Sequence, residues 1–213
     1  MKKNLVSQIG FWTSIMLVVL GLLYILLLIY TISMVGFDSA FPNFVQLVAS
    51  ILTLITAPVL VILFTAIRFV HEDGKKIFGS LGVSFIVLFA AAVSINRFVH
   101  LMVIQPSLPD IPTDLIRFLP YGPGSVMFAL EILGWGFFSS LAAVCVAPLF
   151  SGSSRNKAIR WLFLLYAVLS FMSIISFVAN IPIPFGPIAW GPILLVLSVL
   201  LSVYFRSLDQ QVI

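Results

Sequence analysis

Long apolar stretches separated by short charged segments make up most of this chain. Asp, Glu, Lys and Arg are absent from residues 4–37, 39–67, 77–96, 132–154 and 161–205. A bilayer core about 30 Å thick is crossed by a helix of about 20 mostly apolar residues. Each charge-free stretch is at least that long, so the pattern predicts a chain that crosses a membrane repeatedly.

The boundaries of the apolar stretches predict an all-α fold with one transmembrane domain over residues 1–213. We predict six helices, numbered in chain order, over residues 9–34, 45–70, 77–102, 126–150, 158–180 and 188–205. The longest connection, residues 105–125, contains five prolines and the segment PTDLIRFLP. This segment fits a short amphipathic helix at the membrane interface, which would be either a lid over the bundle or a plain connector.

Composition and charge narrow the class of protein further. Hydrophobic residues make up 62% of the chain and charged residues 8%, against about a quarter charged in soluble domains, which excludes a soluble globular fold. Nine of the eleven Lys and Arg residues fall on one side of the predicted bundle, the exceptions being Arg97 and Arg117. The positive-inside rule then predicts that both termini are cytoplasmic, in a protein of a bacterial-type cell membrane. Because topology explains the basic residues, we expect no nucleic-acid partner.

Strongly polar residues interrupt the apolar pattern at two neighbouring places. Asn96, Arg97 and His100 lie near the outer end of predicted helix 3, and Glu131 lies near the outer start of predicted helix 4. Arg97 follows the start of its helix by 20 residues, or about 30 Å at ~1.5 Å per residue, which brings it close to the depth of Glu131. An ionised carboxylate inside a membrane is costly and is usually paired, protonated or next to a cavity.

Helical spacing adds further side chains to this group. His100 is three residues from Arg97 and four from Asn96, and Trp135 is four residues from Glu131, so each pair shares a helix face. Asn180, at the predicted outer end of helix 5, falls at a similar depth. The predicted ligand-binding residues are Asn96, Arg97, His100, Glu131, Trp135 and Asn180.

Three functions are compatible with these residues. The first is the binding or passage of a small polar or amphipathic ligand through an outward-facing pocket between helices 3 and 4. The second is a structural or accessory subunit, in which Arg97 and Glu131 form only an ion pair that holds two helices together. The third is an intramembrane enzyme that uses His100 and Glu131 for acid–base chemistry.

The composition gives little support to the third function, and we predict a non-enzymatic protein. The chain contains two histidines and one cysteine, too few for a typical zinc site, and it has no phosphate-binding loop or dinucleotide motif. We therefore expect no metal and no cofactor. The expected partners are the lipid bilayer, a small-molecule, ion or lipid ligand, and a second copy of this chain.

Two short segments, LEILGWGFF and GPIAWGPI, resemble stretches of uncharacterised bacterial membrane proteins with six helices. The resemblance implies a polytopic inner-membrane protein of a family without an assigned activity. It transfers no functional residues to this chain.

Overall fold

The computed structural model describes residues 3–36, 42–71, 73–108, 110–119, 124–179, 181 and 183–210. All regular secondary structure in these ranges is helical, and six helices are long and apolar enough to cross a membrane, which confirms the predicted fold class. The helices are α1 (Lys3–Val35), α2 (Asn43–Val70), α3 (Lys76–Ser107), α4 (Val126–Leu149), α5 (Ser154–Val178) and α6 (Phe185–Gln210).

The start of α1 and the end of α6 lie on one side of the bundle, where Oγ of Ser7 contacts Oδ1 of Asp209 at 3.4 Å. We call this side the terminal side. The opposite side, which carries the connection between α3 and α4, is the loop side. In that connection Thr113–Phe118 forms a short 3-10 helix, which contacts the ends of both α3 and α4. This short helix thus lies over the loop-side ends of the two helices that carry the polar residues.

The six helices form a closed ring. α1 packs against α2 and α6, α2 against α3, α3 against α4, α4 against α5, and α5 against α6. Small residues allow the close approaches, because helices in lipid associate through packing. A Cβ on Gly134 of α4 would come within 2.7 Å of Val93 of α3, and one on Gly136 within 2.6 Å of Ile174 of α5.

The terminal-side half of the ring is filled with apolar side chains. Leu63 and Ile67 of α2, Phe163 of α5 and Leu201 of α6 are at most 2% exposed and belong to one continuous core. This core is a packed layer across the bundle. The loop-side half is filled less completely, and the polar residues lie there.

Three helices change from α-helical to π-helical geometry in the loop-side half. The π segments are His100–Ile104 of α3, Leu133–Phe138 of α4 and Ala189–Ile193 of α6. Prolines explain two of them, because a proline has no N–H to donate to the preceding turn. Pro192 lies within the α6 segment, and Pro106 lies two residues after the end of the α3 segment. Such segments are frequent at functional sites.

Candidate functional site

Glu131 is the centre of the buried polar group. It lies in the second turn of α4 and is 4% exposed. Its Oε1 accepts a hydrogen bond from Nη2 of Arg97. Its Oε2 accepts a hydrogen bond of 2.5 Å from Nδ2 of Asn96. Two consecutive residues of α3 therefore hold both oxygens of the carboxylate, so this contact joins α3 to α4.

The charges in this group balance. The side chains of Arg97 and Glu131 are 3% and 6% exposed, so both are buried inside the bundle. A single buried charge would be very unfavourable, whereas a paired and hydrogen-bonded one is tolerated. The structure thus contains a neutral but strongly polar site at the loop-side end of an apolar bundle.

His100 makes a different contact. It is fully buried, and its Nδ1 lies 2.7 Å from Oγ of Ser50, so it links α3 to α2. On the same face of α3, three buried atoms lack a hydrogen-bond partner among the described residues: Oδ1 of Asn96, Nε2 of His100 and Oε1 of Gln105. Buried polar atoms of this kind are normally satisfied by hydrogen bonds to ordered water.

A cavity of about 580 Å³ occupies the loop-side half of the ring. Residues of α1, α2, α4, α5 and α6 form most of its wall, and α3 contributes Arg97. It extends along α1 from Leu17 to Leu28 and reaches Ile181 and Ile183, next to α6. The cavity therefore involves most of the bundle and is not confined to the contact between α3 and α4.

Most of the cavity wall is apolar, with a few polar groups at fixed places. Glu131 and Arg97 form one polar area of the wall. The hydroxyl groups of Ser and Thr on α2 and α5 form a second, and Tyr24 of α1 adds a phenol. The Ser and Thr residues of the wall are Thr53, Thr56, Ser173 and Ser176. A mostly apolar cavity with a few convergent polar groups is the usual form of a small-molecule site.

Two tryptophans form an aromatic part of the wall. The rings of Trp135 and Trp190 are 5.6 Å apart between centroids, and both lie in π segments. Nε1 of Trp190 donates to Oγ of Ser170 at 3.1 Å, which fixes the ring. Gly186 leaves the space for this ring, because a Cβ there would come within 2.6 Å of it.

The cavity is closed towards the terminal side. Leu194 lines both the cavity and a small void of about 20 Å³ within the packed layer. This void borders the hydroxyls of Ser139 and Tyr166, and the phenol donates to Oγ of Ser139 at 3.0 Å. A void of this size holds about one water molecule. Because the side chains of the packed layer are almost fully buried, we describe the cavity as blind on the terminal side.

The predicted site residues occupy different places relative to the cavity. Arg97, Glu131 and Trp135 line it. Asn96 lies behind the wall and holds the carboxylate, and His100 contacts Ser50. Asn180 lies outside the described residues.

Sequence reasoning missed the hydroxyl-bearing part of the wall and the place of Trp190 beside it. One signal was present, because Ser170, Ser173 and Ser176 recur every three residues on α5. This spacing places them near one helix face, where the first accepts from the indole and the other two line the cavity. No group of three or more His, Cys, Asp or Glu suited to a metal ion occurs among residues 3–210 as far as they are described.

No protein-family model, curated protein or solved structure matches this chain. Its class therefore follows from the fold and the site alone. The chain is a multipass, all-helical membrane protein with a buried Arg–Glu pair beside a blind cavity. Its resemblance to uncharacterised bacterial six-helix proteins stays a prediction.

Proposed function

We propose that this membrane protein binds a small amphipathic ligand in the cavity between its helices. The observation that carries the proposal is the position of the Arg97–Glu131 pair on the wall of a cavity of about 580 Å³. Ligand sites typically have volumes of about 300–1,000 Å³ and a mostly apolar lining with few polar groups. The cavity has both properties.

The ligand would enter from the loop side, where the connection next to α6 borders the cavity. The distribution of Lys and Arg assigns the terminal side to the cytoplasm under the positive-inside rule, so the loop side would face outward. The packed layer beneath the cavity favours binding over free passage. Transport to the other side would require that this layer opens.

The main alternative is that the ion pair only joins α3 to α4. The nearly complete burial of both side chains favours this function as well. Catalysis has less support, because His100 contacts Ser50 and is not among the residues that line the cavity. An acid–base pair needs both groups within reach of one bound substrate.

Gly191 offers a direct test of the cavity. It lines the cavity, and a Cβ at this position would meet nothing within 4 Å. Gly191→Leu should therefore fill part of the cavity while it leaves the ion pair and the packed core intact. The matched control is Gly74→Leu, at another glycine with open space around it, in the short 3-10 helix Asp73–Lys75 that precedes α3.

The measurement is the melting temperature of the protein in lipid nanodiscs, with a panel of short-chain amphiphiles. Binding to the native state raises the melting temperature, because the free energy of unfolding increases by RT ln(1 + [L]/Kd). We expect at least one amphiphile to stabilise the wild type and Gly74→Leu but not Gly191→Leu. If no amphiphile stabilises the wild type, or if Gly191→Leu responds equally, the cavity is not a binding site and the structural alternative is favoured.

A further inference from the structure

We infer that the ligand of this cavity is an uncharged amphiphile whose polar end carries hydroxyl groups, such as a glycerol or sugar head. The inference rests on the proposed function, because it specifies the chemistry of the ligand that the cavity would bind. Two independent observations support it. One is the charge of the wall, and the other is the direction of its hydrogen bonds.

The first observation is that the charges of the wall cancel. Among the described residues that line the cavity, Arg97 is the one basic residue and Glu131 the one acidic residue, and they form an ion pair. A cationic head near Glu131 would also lie near the guanidinium, and an anionic head near Arg97 would lie near the carboxylate. A charged head therefore pays the free-energy cost of losing its hydration without a net electrostatic attraction to the wall.

The second observation concerns the hydroxyl groups of α2. Thr53 and Thr56 donate to backbone oxygens one turn earlier in their own helix, Ala49 O at 2.7 Å and Leu52 O at 2.8 Å. Each hydroxyl has one hydrogen to donate and two lone pairs to accept. Because the hydrogens are committed to the helix, these hydroxyls offer acceptor oxygens to a ligand.

The hydroxyls of α5 behave in the same way. Ser173 donates to Ser170 O at 2.5 Å, and Ser176 donates to Ile181 O at 2.5 Å. The indole N–H of Trp190 is likewise committed to the side chain of Ser170. All four Ser and Thr hydroxyls of the wall therefore present acceptors, and the carboxylate of Glu131 adds more.

Apart from the donors of Arg97 and Tyr24, the polar groups of the wall are acceptors, and a ligand that both donates and accepts hydrogen bonds satisfies them. Hydroxyl groups donate hydrogen bonds without carrying charge, so they match both the hydrogen-bond direction and the neutrality of the site. Ammonium groups also donate but bring a charge, and ethers or esters only accept. The aromatic pair Trp135 and Trp190 and the apolar residues of α1 would contact the hydrocarbon part of the ligand.

The experiment compares four probes that share an octyl chain and differ in their heads. The probes are 1-O-octylglycerol, its O-methylated analogue, octyltrimethylammonium and octyl sulfate, each added to nanodisc-embedded protein at the same concentration. At ten times its Kd, octylglycerol should raise the melting temperature of the wild type by about 3–6 °C. The other three probes should raise it by less than a third of that value.

Charge variants test the first observation separately. Glu131→Gln should make octyl sulfate the most stabilising probe, because it removes the negative charge next to Arg97 on the cavity wall. Arg97→Gln should favour octyltrimethylammonium for the opposite reason. The matched controls are Asp114→Asn and Arg117→Gln, which remove the same charges from exposed positions and should keep the wild-type order of probes.

Thr56→Val tests the second observation without altering any charge. It therefore remains a test of the inference if a charge variant does not fold. It removes one acceptor oxygen and should lower the affinity for octylglycerol about 5-fold or more, while the O-methylated probe changes little. If a charged or O-methylated probe stabilises the wild type best, the inference fails although the cavity binds ligands. If no probe has an effect, the proposed function fails as well.

Lipid analysis of the purified protein identifies the source of the ligand. A glycerol- or sugar-headed lipid that copurifies with the wild type but not with Gly191→Leu would support the inference and identify the bilayer as the source. Stabilisation by added octylglycerol without any copurified lipid would indicate a water-soluble source on the loop side. If only charged lipids copurify with the wild type, and they do not copurify with Gly191→Leu, the inference is overturned.

Discussion

Removal of the carboxylate at position 131 should destabilise the protein strongly. Glu131→Ala breaks two hydrogen bonds to a charged group, one from Arg97 and one from Asn96. At about 1.5–3 kcal/mol each, their loss should cost about 3–6 kcal/mol of unfolding free energy. This range agrees with the roughly 3–5 kcal/mol expected when one partner of a buried ion pair is removed.

A double-mutant cycle separates the ion pair from the other effects of truncation. Arg97→Ala should also cost several kcal/mol, since it leaves the Glu131 carboxylate buried and without the counter-charge. The double variant should lose less than the sum of the two, with a coupling energy of about 2 kcal/mol. The same cycle on the exposed residues Asp114 and Arg117 is the control and should give a coupling near zero.

Equilibrium unfolding by SDS in mixed micelles, followed by far-UV circular dichroism, would measure these free energies. Two results would refute the reasoning. If each single variant lowers the free energy of unfolding by less than about 1 kcal/mol, then water from the cavity already solvates the two charges. If the losses are strictly additive, the pair does not stabilise the contact between α3 and α4, and the structural alternative is wrong.

Three further predictions concern other parts of the bundle. Ser50→Ala should lower the free energy of unfolding by about 1–3 kcal/mol in the same assay, because it leaves Nδ1 of His100 buried without a partner. An unchanged free energy would mean that water replaces the hydroxyl group. Gly186→Ala should lower the melting temperature, since the added methyl group meets an indole ring at 2.6 Å, whereas Gly191→Ala meets nothing within 4 Å and should be neutral. At His71, just beyond the end of α2, burial lowers the pKa despite the hydrogen bond to Ile67 O. The folded state therefore disfavours the protonated form of His71, so the free energy of unfolding should fall as the pH drops below about 6.5, by up to ~1.4 kcal/mol per pH unit. His71→Gln should weaken this pH dependence. An identical pH profile in the wild type and the variant would contradict the assignment to His71.

The membrane-spanning helices could be predicted because lipid imposes a simple requirement on sequence. A crossing helix needs about 20 apolar residues and tolerates few charges, so the charge-free runs indicated six crossings. The helices themselves continue past the apolar runs, since α1 begins at Lys3 and α6 ends at Gln210. Polar residues at helix ends lie outside the hydrocarbon layer, where hydropathy no longer limits them.

The contact between Arg97 and Glu131 could be expected from helical rise alone, because both residues fall at nearly the same depth. The cavity could not be predicted in this way. An apolar residue such as Leu20 or Ile132 looks the same in sequence whether it faces lipid, the core or a cavity. Whether such a residue faces lipid, the core or a cavity depends on how the helices are arranged, and the periodicity of the sequence does not determine that arrangement.

The partners of individual polar residues were also beyond the sequence. His100 shares a helix face with Arg97 and Asn96, yet it contacts Ser50 on a different helix. The π segments change the register at this point, because each adds a residue to the turn and rotates the side chains that follow. Their positions reflect tertiary packing as well as the neighbouring prolines.

The cancelling charges of Arg97 and Glu131 have a consequence for the response to voltage. Moving one elementary charge through 100 mV of membrane potential changes the free energy by about 2.3 kcal/mol. A neutral pair that holds an uncharged ligand moves no net charge. Occupancy of the site by such a ligand should therefore be independent of the electrical potential and follow only the ligand concentration on the loop side.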